Sequence, residues 1–128
     1  AVSCAGNHDN RIYNRWWSET HHGVKEQVND KGDTTFVYHI STNPELASRL
    51  KGHLMLVHGD LDNNVHPGNT TRVANALIRA NKRFDMLYLP MQRHGFGDMN
   101  EYFYWRLVDH FTDYLIDGRT KEVDIPQR

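Results

Sequence analysis

The chain has 128 residues, a net charge of −1 and a sequence pI near 6.8. That is one domain's worth of sequence, with neither the basic surface that nucleic acid or an anionic membrane selects nor a run of about 18 apolar residues to span a bilayer. One cysteine, Cys4, excludes an internal disulfide.

Residues 1–6, AVSCAG, read as a buried strand. The chain opens mid-pattern, without an initiator Met or a leader pattern, so the expectation is a single partial domain over 1–128 whose natural N-terminus lies elsewhere. Residues 7–40 read as irregular, polar and aromatic, densest at NRIYNRWWSETHHG, with NDKGD at 29–33 as a turn. At STNPEL a helix begins. Thr42 or Asn43 can cap it, Pro44 suits its first position, Glu45 favours its positive end, and it stops near Leu50–Gly52.

Residues 53–58 are apolar on both faces, as a central parallel strand requires. After a loop over 59–67, a helix is predicted for 68–82, with Val73, Ala74, Leu77 and Ile78 at helical spacing. FDMLYL at 84–89 is the next strand, closed by Pro90, and MQRHGFGD at 91–98 is the next loop. The last helix is predicted over 99–117, with Phe103, Leu107, Phe111 and Leu115 on one stripe and Gly118 as its stop.

Strands alternating with helices predict an α/β fold with a parallel sheet. In such sheets ligands sit beyond the carboxyl ends of the strands, where the loops 59–67 and 91–98 both emerge. The first carries Asp60 and Asp62; the second carries His94. An Asp and a His on neighbouring strand ends can pair, the carboxylate orienting the imidazole so that it can take a proton from a nucleophile. In α/β-hydrolases the chain order is nucleophile, acid, His, and Asp62 and His94 follow that order. Asp62 as a cap of the following helix is the weaker reading, since Asn69 and Thr70 lie nearer its start; Asp60 reads as a solvated turn residue.

No serine has a glycine two residues before it: Ser3, Ser18, Ser41 and Ser48 all fail the Gly-x-Ser-x-Gly elbow. Cys4 fails as a substitute, because Val2 stands where the first elbow glycine belongs and GNHDNR is a poor helix core; it reads as a buried structural thiol. The adjacent His21 and His22 cannot readily share one metal ion and have no partner at ligand spacing. No metal and no cofactor are expected.

From about residue 54 to 116 the chain resembles the C-terminal part of the catalytic domain of dipeptidyl peptidase IV-like enzymes in the prolyl oligopeptidase family. The resemblance rests on His58-Gly59, Asp62 three positions later, Asn64-Val65-His66, the helix TTRVANALIRANK, the strand FDMLYLP, and His94-Gly95. It implies the C-terminal half of an α/β-hydrolase fold, with Asp62 as triad acid and His94 as triad base. More loosely, IYNRWWSETHHG at 12–23 resembles the family's Tyr-rich segment. That match implies Tyr13, Trp17 and Val65 as walls of the S1 pocket and Asn64 as the amide that holds a substrate carbonyl. Asn10 and Asn7 depart from the Trp and Val of dipeptidyl peptidase IV, which argues against strict proline specificity.

The resulting expectation is a fragment of a serine-type peptidase. Its parent hydrolyses oligopeptides through an acyl-enzyme, while the fragment lacks the nucleophile and is inactive alone. Its partners would be a peptide substrate, the missing N-terminal half of the catalytic domain and a second copy, since a sheet cut at an edge exposes unpaired backbone. The resemblance favours an extracytoplasmic location. The alternatives are a non-catalytic binding module of this fold and an esterase, because fold alone does not fix function.

Overall fold

The computed structural model describes residues 1–38 and 40–116. Three strands form a parallel sheet: β1 (Val2–Cys4), β4 (Met55–Gly59) and β5 (Asp85–Leu89), in the order β1-β4-β5. Between β1 and β4 the chain makes a 3₁₀ turn (Asn10–Ile12), helix α1 (Arg15–His22), an antiparallel hairpin of β2 (Val24–Val28) and β3 (Thr34–Tyr38), and a short helix α2 (Asn43–Leu46) that runs into a 3₁₀ turn (Ala47–Arg49). Helix α3 (Gly68–Arg79) joins β4 to β5, and α4 (Asn100–Leu115) follows a 3₁₀ turn at Gly97–Met99.

Every residue of β4 is buried, because helices cover both faces of the sheet. Met55 and Val57 point to one side and pack with Leu89, Phe96 and Phe103 beneath α4. Leu56 points to the other and packs with Ala47, Val73, Ala74 and Leu77 beneath α2 and α3. The period-two alternation of a strand therefore divides the core into two layers. It also sends His58, on the parity of Leu56, toward α3.

The strands around 1–6, 53–58 and 84–89 and the helices around 43, 68–82 and 99–117 all form, with ends shifted by a few residues. At α2 the capping is reciprocal: Glu45 N–H donates to Thr42 Oγ1 and Thr42 N–H donates to the Glu45 carboxylate. The NDKGD turn joins β2 to β3, its Asn29 side chain accepting the N–H groups of Lys31 and Asp33. The Gly118 stop lies outside the described residues.

Three expectations need correction. Residues 7–40 are not irregular, since they hold α1 and the β2–β3 hairpin. Helix α1 shows no apolar stripe, Trp16 being 70 % exposed, and it starts because the Asn14 side chain caps Trp17 N–H. Both strands of the hairpin stand largely in solvent, so no burial pattern marks them. Cys4 is exposed rather than buried, because β1 has only β4 as a ladder neighbour among the described residues. Finally, the apolar stripes are shorter than the periodicity suggests: Ile78 and Leu115 are exposed at the solvent edge of their helices.

Candidate active site

Asp62 shapes its own loop. Its Oδ1 accepts the N–H of Asn64 (2.9 Å) and of Val65 (3.0 Å), which curls the chain just past β4. Oδ2 accepts Nδ1–H of His94 at 2.9 Å and Nε2–H of His58 at 3.1 Å. The side chain is fully buried. Burial alone would raise its pKa, but the bonds from His94 and from the Asn64 and Val65 amides outweigh it and hold the carboxyl below the usual range.

His94 is brought to this carboxylate by two backbone stitches between the loops. Asp60 N–H donates to Leu89 O (3.2 Å) and Leu61 N–H to Gln92 O (3.0 Å). The approach is close enough to require Gly59, since a Cβ there would collide with the Gln92 carbonyl and lie 2.7 Å from Arg93 O. Gln92 is buried and donates from Nε2 to Asp98, which ties the far side of the loop to the start of α4. A bond of Nδ1–H to the carboxylate fixes the His94 tautomer with Nε2 unprotonated. The ring is 46 % exposed. The pair is thus an imidazole half open to solvent, oriented by a buried carboxylate.

His58 is the functional candidate that sequence reasoning passed over. It is fully buried at the end of β4. Besides Asp62, its Nε2 lies 2.8 Å from Val65 O, and its Nδ1 lies 2.7 Å from Thr70 Oγ1 on α3. A polar ring closing an otherwise apolar buried strand was the available signal.

Tyr13 and Asn64 meet: the Tyr13 hydroxyl donates to Asn64 Oδ1 at 3.2 Å, which leaves the amide NH₂ as the free end. Trp17 packs edge-to-face on Tyr13 with centroids 6.5 Å apart. Val65 is buried, its N–H on Asp62 and its carbonyl facing His58, so most of its surface belongs to the core. Asp60 is exposed.

The segment bearing Tyr13 is pinned to α3 by a polar corner. Asn69 Oδ1 accepts the N–H of His8 (3.1 Å) and of Asp9 (2.9 Å). Buried Asp9 pairs with Arg11 (2.9 Å) and Arg72 (2.6 Å). Burial pushes the Asp9 carboxyl up, but the bonds from Arg11 and Arg72 hold it below its ordinary value. His8 lies buried between Asn43 (2.7 Å) and Ser3 (3.4 Å), and burial, with repulsion from His58, pushes its pKa down.

Cys4 does not take the place of a nucleophile. It stands in a strand rather than at a helix start, and what desolvation it has pushes the thiol pKa up. Among the described residues no three His, Cys, Asp or Glu side chains are placed to hold a metal ion, and no helix is long and apolar enough to cross a membrane.

The sequence model of the prolyl oligopeptidase family matches residues 1–118. Human dipeptidyl peptidase 8 is 27 % identical over 106 residues, covering 81 % of this chain and 12 % of that protein. Human prolyl endopeptidase FAP is 33 % identical over 61 residues, covering 48 % of this chain and 8 % of that protein. The crystal structure of Porphyromonas gingivalis dipeptidyl peptidase 4 superposes with a TM-score of 0.73 and 29 % identity, covering 89 % of this chain and 16 % of that one. The chain therefore spans about an eighth of the length of dipeptidyl peptidase 8, and its parallel sheet with flanking helices is the α/β-hydrolase arrangement of the structural neighbour from Porphyromonas gingivalis.

Proposed function

The chain belongs to the prolyl oligopeptidase family of peptidases, and on that premise we propose that it supplies the acid and base of a serine-type peptidase site, with Asp62 as acid and His94 as base. The observation that carries this reading is the His94 Nδ1–Asp62 Oδ2 bond of 2.9 Å, made by a half-exposed ring to a buried carboxylate. That geometry leaves Nε2 unprotonated and free to accept the proton of an attacking hydroxyl.

The nucleophile is a serine outside these 128 residues, because none of the four serines here stands in an elbow. As that hydroxyl attacks a peptide carbonyl, its proton passes to His94 Nε2, and Asp62 stabilises the imidazolium. His94 then returns the proton to the leaving amine, and a water repeats the sequence on the acyl-enzyme. The 128 residues alone are inactive. They serve as the C-terminal part of a larger catalytic domain, and β1 presents the edge on which the rest of that sheet, or a second copy, would pair.

Tyr13 and Trp17 supply aromatic walls for the substrate residue before the scissile bond, and Val65 an aliphatic one. Asn64, its oxygen held by Tyr13, offers its NH₂ to a substrate carbonyl. The substrates are oligopeptides, by analogy with dipeptidyl peptidase 8, prolyl endopeptidase FAP and dipeptidyl peptidase 4, and the family resemblance alone is the ground for placing the protein outside the cytoplasm. The amide donor favours a peptidase over an esterase of the same fold, since it reads a second carbonyl that a simple ester lacks.

The test is fluorophosphonate labelling of the complete protein, wild type against His94→Ala. Labelling of the wild type that vanishes in the variant is expected. A well-folded wild type that takes no label would give precedence to the non-catalytic binding module.

A further inference from the structure

The Asp62 carboxylate has a second imidazole on it, and the proposed mechanism leaves that imidazole without a task. His58 approaches Oδ2 from the α3 side, opposite in the chain to the loop that brings His94. A solvated carboxylate needs no such partner. A buried one does, and it could have been satisfied by backbone N–H groups alone, as its Oδ1 already is.

We propose that His58, fixed by Thr70, is a positioning residue that sets both the orientation of Asp62 and the share of its charge left for His94. This rests on the reading of Asp62 and His94 as acid and base.

The proton assignment follows from the partners. Val65 O, 2.8 Å from Nε2, can only accept, and so can an ionised Asp62. Nε2 therefore carries the proton and shares it between the two. Nδ1 is left as an acceptor, and the Thr70 hydroxyl at 2.7 Å donates to it. The order Thr70→His58→Asp62←His94 is a chain of donors converging on one oxygen. Its two anchors are the buried strand end of β4 and the first turn of α3.

The chemistry gives a direction. Each N–H aimed at Oδ2 disperses the negative charge that would otherwise stabilise the His94 imidazolium. Deleting the His58 donor leaves more of that charge to His94, so the protonated base forms more readily and the pH at which the site switches on rises. The same deletion loosens the carboxylate, so the rate on the plateau falls. A merely structural His58 would change neither the pH midpoint nor its response to a replacement donor. His8 also interacts electrostatically with His58. It makes no bond to Asp62, its ring being taken up by Asn43 and Ser3. Asp60, in the same loop, is exposed.

The experiment is the pH dependence of the fluorophosphonate labelling rate of the complete protein, which reads nucleophile activation without a chosen substrate. Compared are wild type, His58→Met, His58→Gln and Thr70→Val, each checked for folding by circular dichroism. His58→Met should raise the midpoint of the activation limb by about one pH unit, the size expected from losing part of one charge-assisted bond, and lower the plateau at least several-fold. His58→Gln, which can return an N–H near the Nε2 position, should bring the midpoint most of the way back. Thr70→Val should move it in the same direction as His58→Met but less, and it decides the matter if His58→Met does not fold. Labelled variants whose midpoints stay at the wild-type value, or fall, would overturn the role of His58 while leaving the Asp62–His94 reading intact. A folded wild type that takes no label overturns both.

Discussion

Gly59 sits against the backbone carbonyl of Gln92, so closely that a Cβ at residue 59 would overlap it. The glycine ends the strand that delivers Asp62, and the carbonyl belongs to the loop that delivers His94. The absence of one side chain is therefore what lets Asp62 and His94 come within hydrogen-bonding distance.

Gly59→Ala should destabilise the protein by about 1–3 kcal/mol, the usual cost of forcing a methyl group into a packed site. The colliding atoms are backbone and cannot swing aside. Urea unfolding of the variant against wild type measures this. An unchanged midpoint would show that the two loops can separate.

Asp62→Asn in the complete protein should lower kcat by a factor on the order of 10³–10⁴ with little change in KM, because the amide no longer holds the His94 tautomer or stabilises its cation. Steady-state kinetics on a chromogenic dipeptide amide provides the comparison. A loss confined to KM would assign Asp62 to binding instead.

Asn64→Ala should act on the other side of that division. Losing one donor to a substrate carbonyl should cost about 1–2 kcal/mol of binding, seen as a raised KM for peptides and no change for a short ester lacking the second carbonyl. Tyr13→Phe, which frees the Asn64 oxygen, should give a smaller effect of the same kind. Equal losses on both substrates would remove Asn64 from carbonyl recognition.

Stability should fall on mild acidification. The folded pKa of His8 is depressed, so the unfolded chain binds a proton first, near pH 6.5. The stabilisation is full above that pH and is lost as pH falls toward the folded value. Asp62 and Asp9 also have depressed values, but their contribution is present above about pH 4 and is lost only below it. Melting temperatures at pH 7.5 and 5.5 should therefore differ, and His8→Gln should narrow the gap. A gap of wild-type size in His8→Gln would assign it to another group.

Met91 has a left-handed backbone (φ 60°) and is 72 % exposed. A side chain there costs about 1 kcal/mol of backbone strain and has little packing to lose. Met91→Gly should leave stability unchanged or raise it by up to about 1 kcal/mol, as thermal unfolding would show. A clear loss would mean that the side chain makes a contact worth more than the strain.

The parallel sheet was legible because β4 is buried on both faces and its apolar run says so, and because each strand is followed by a capped or apolar-striped helix. The approach of Asp62 to His94 was legible from strand-end logic. The hairpin was not, because Lys25, Glu26 and Gln27 on one strand and Phe36 and Val37 on the other all stand in solvent and leave no periodicity of burial. The role of Gly59 was hidden for a different reason: its constraint comes from a loop more than thirty residues away, and no local pattern records it. His58 was hidden because a buried histidine looks like any other polar end of a strand until its three partners are in place.

The hairpin has a consequence of its own. It shares no ladder with the parallel sheet, and its turn is closed by Asn29 from within. Chain length at 29–33 is thus an open parameter: residues could be added there, or a short tag carried, without passing any displacement to the strand ends. Between Leu89 and His94 the opposite holds. There the number of residues is fixed, because a single insertion would break the stitch from Leu61 to Gln92 and put the imidazole out of step with its carboxylate. Within one small unit the fold keeps one stretch of chain free to vary in length and another locked, and the locked stretch is the one that carries His94.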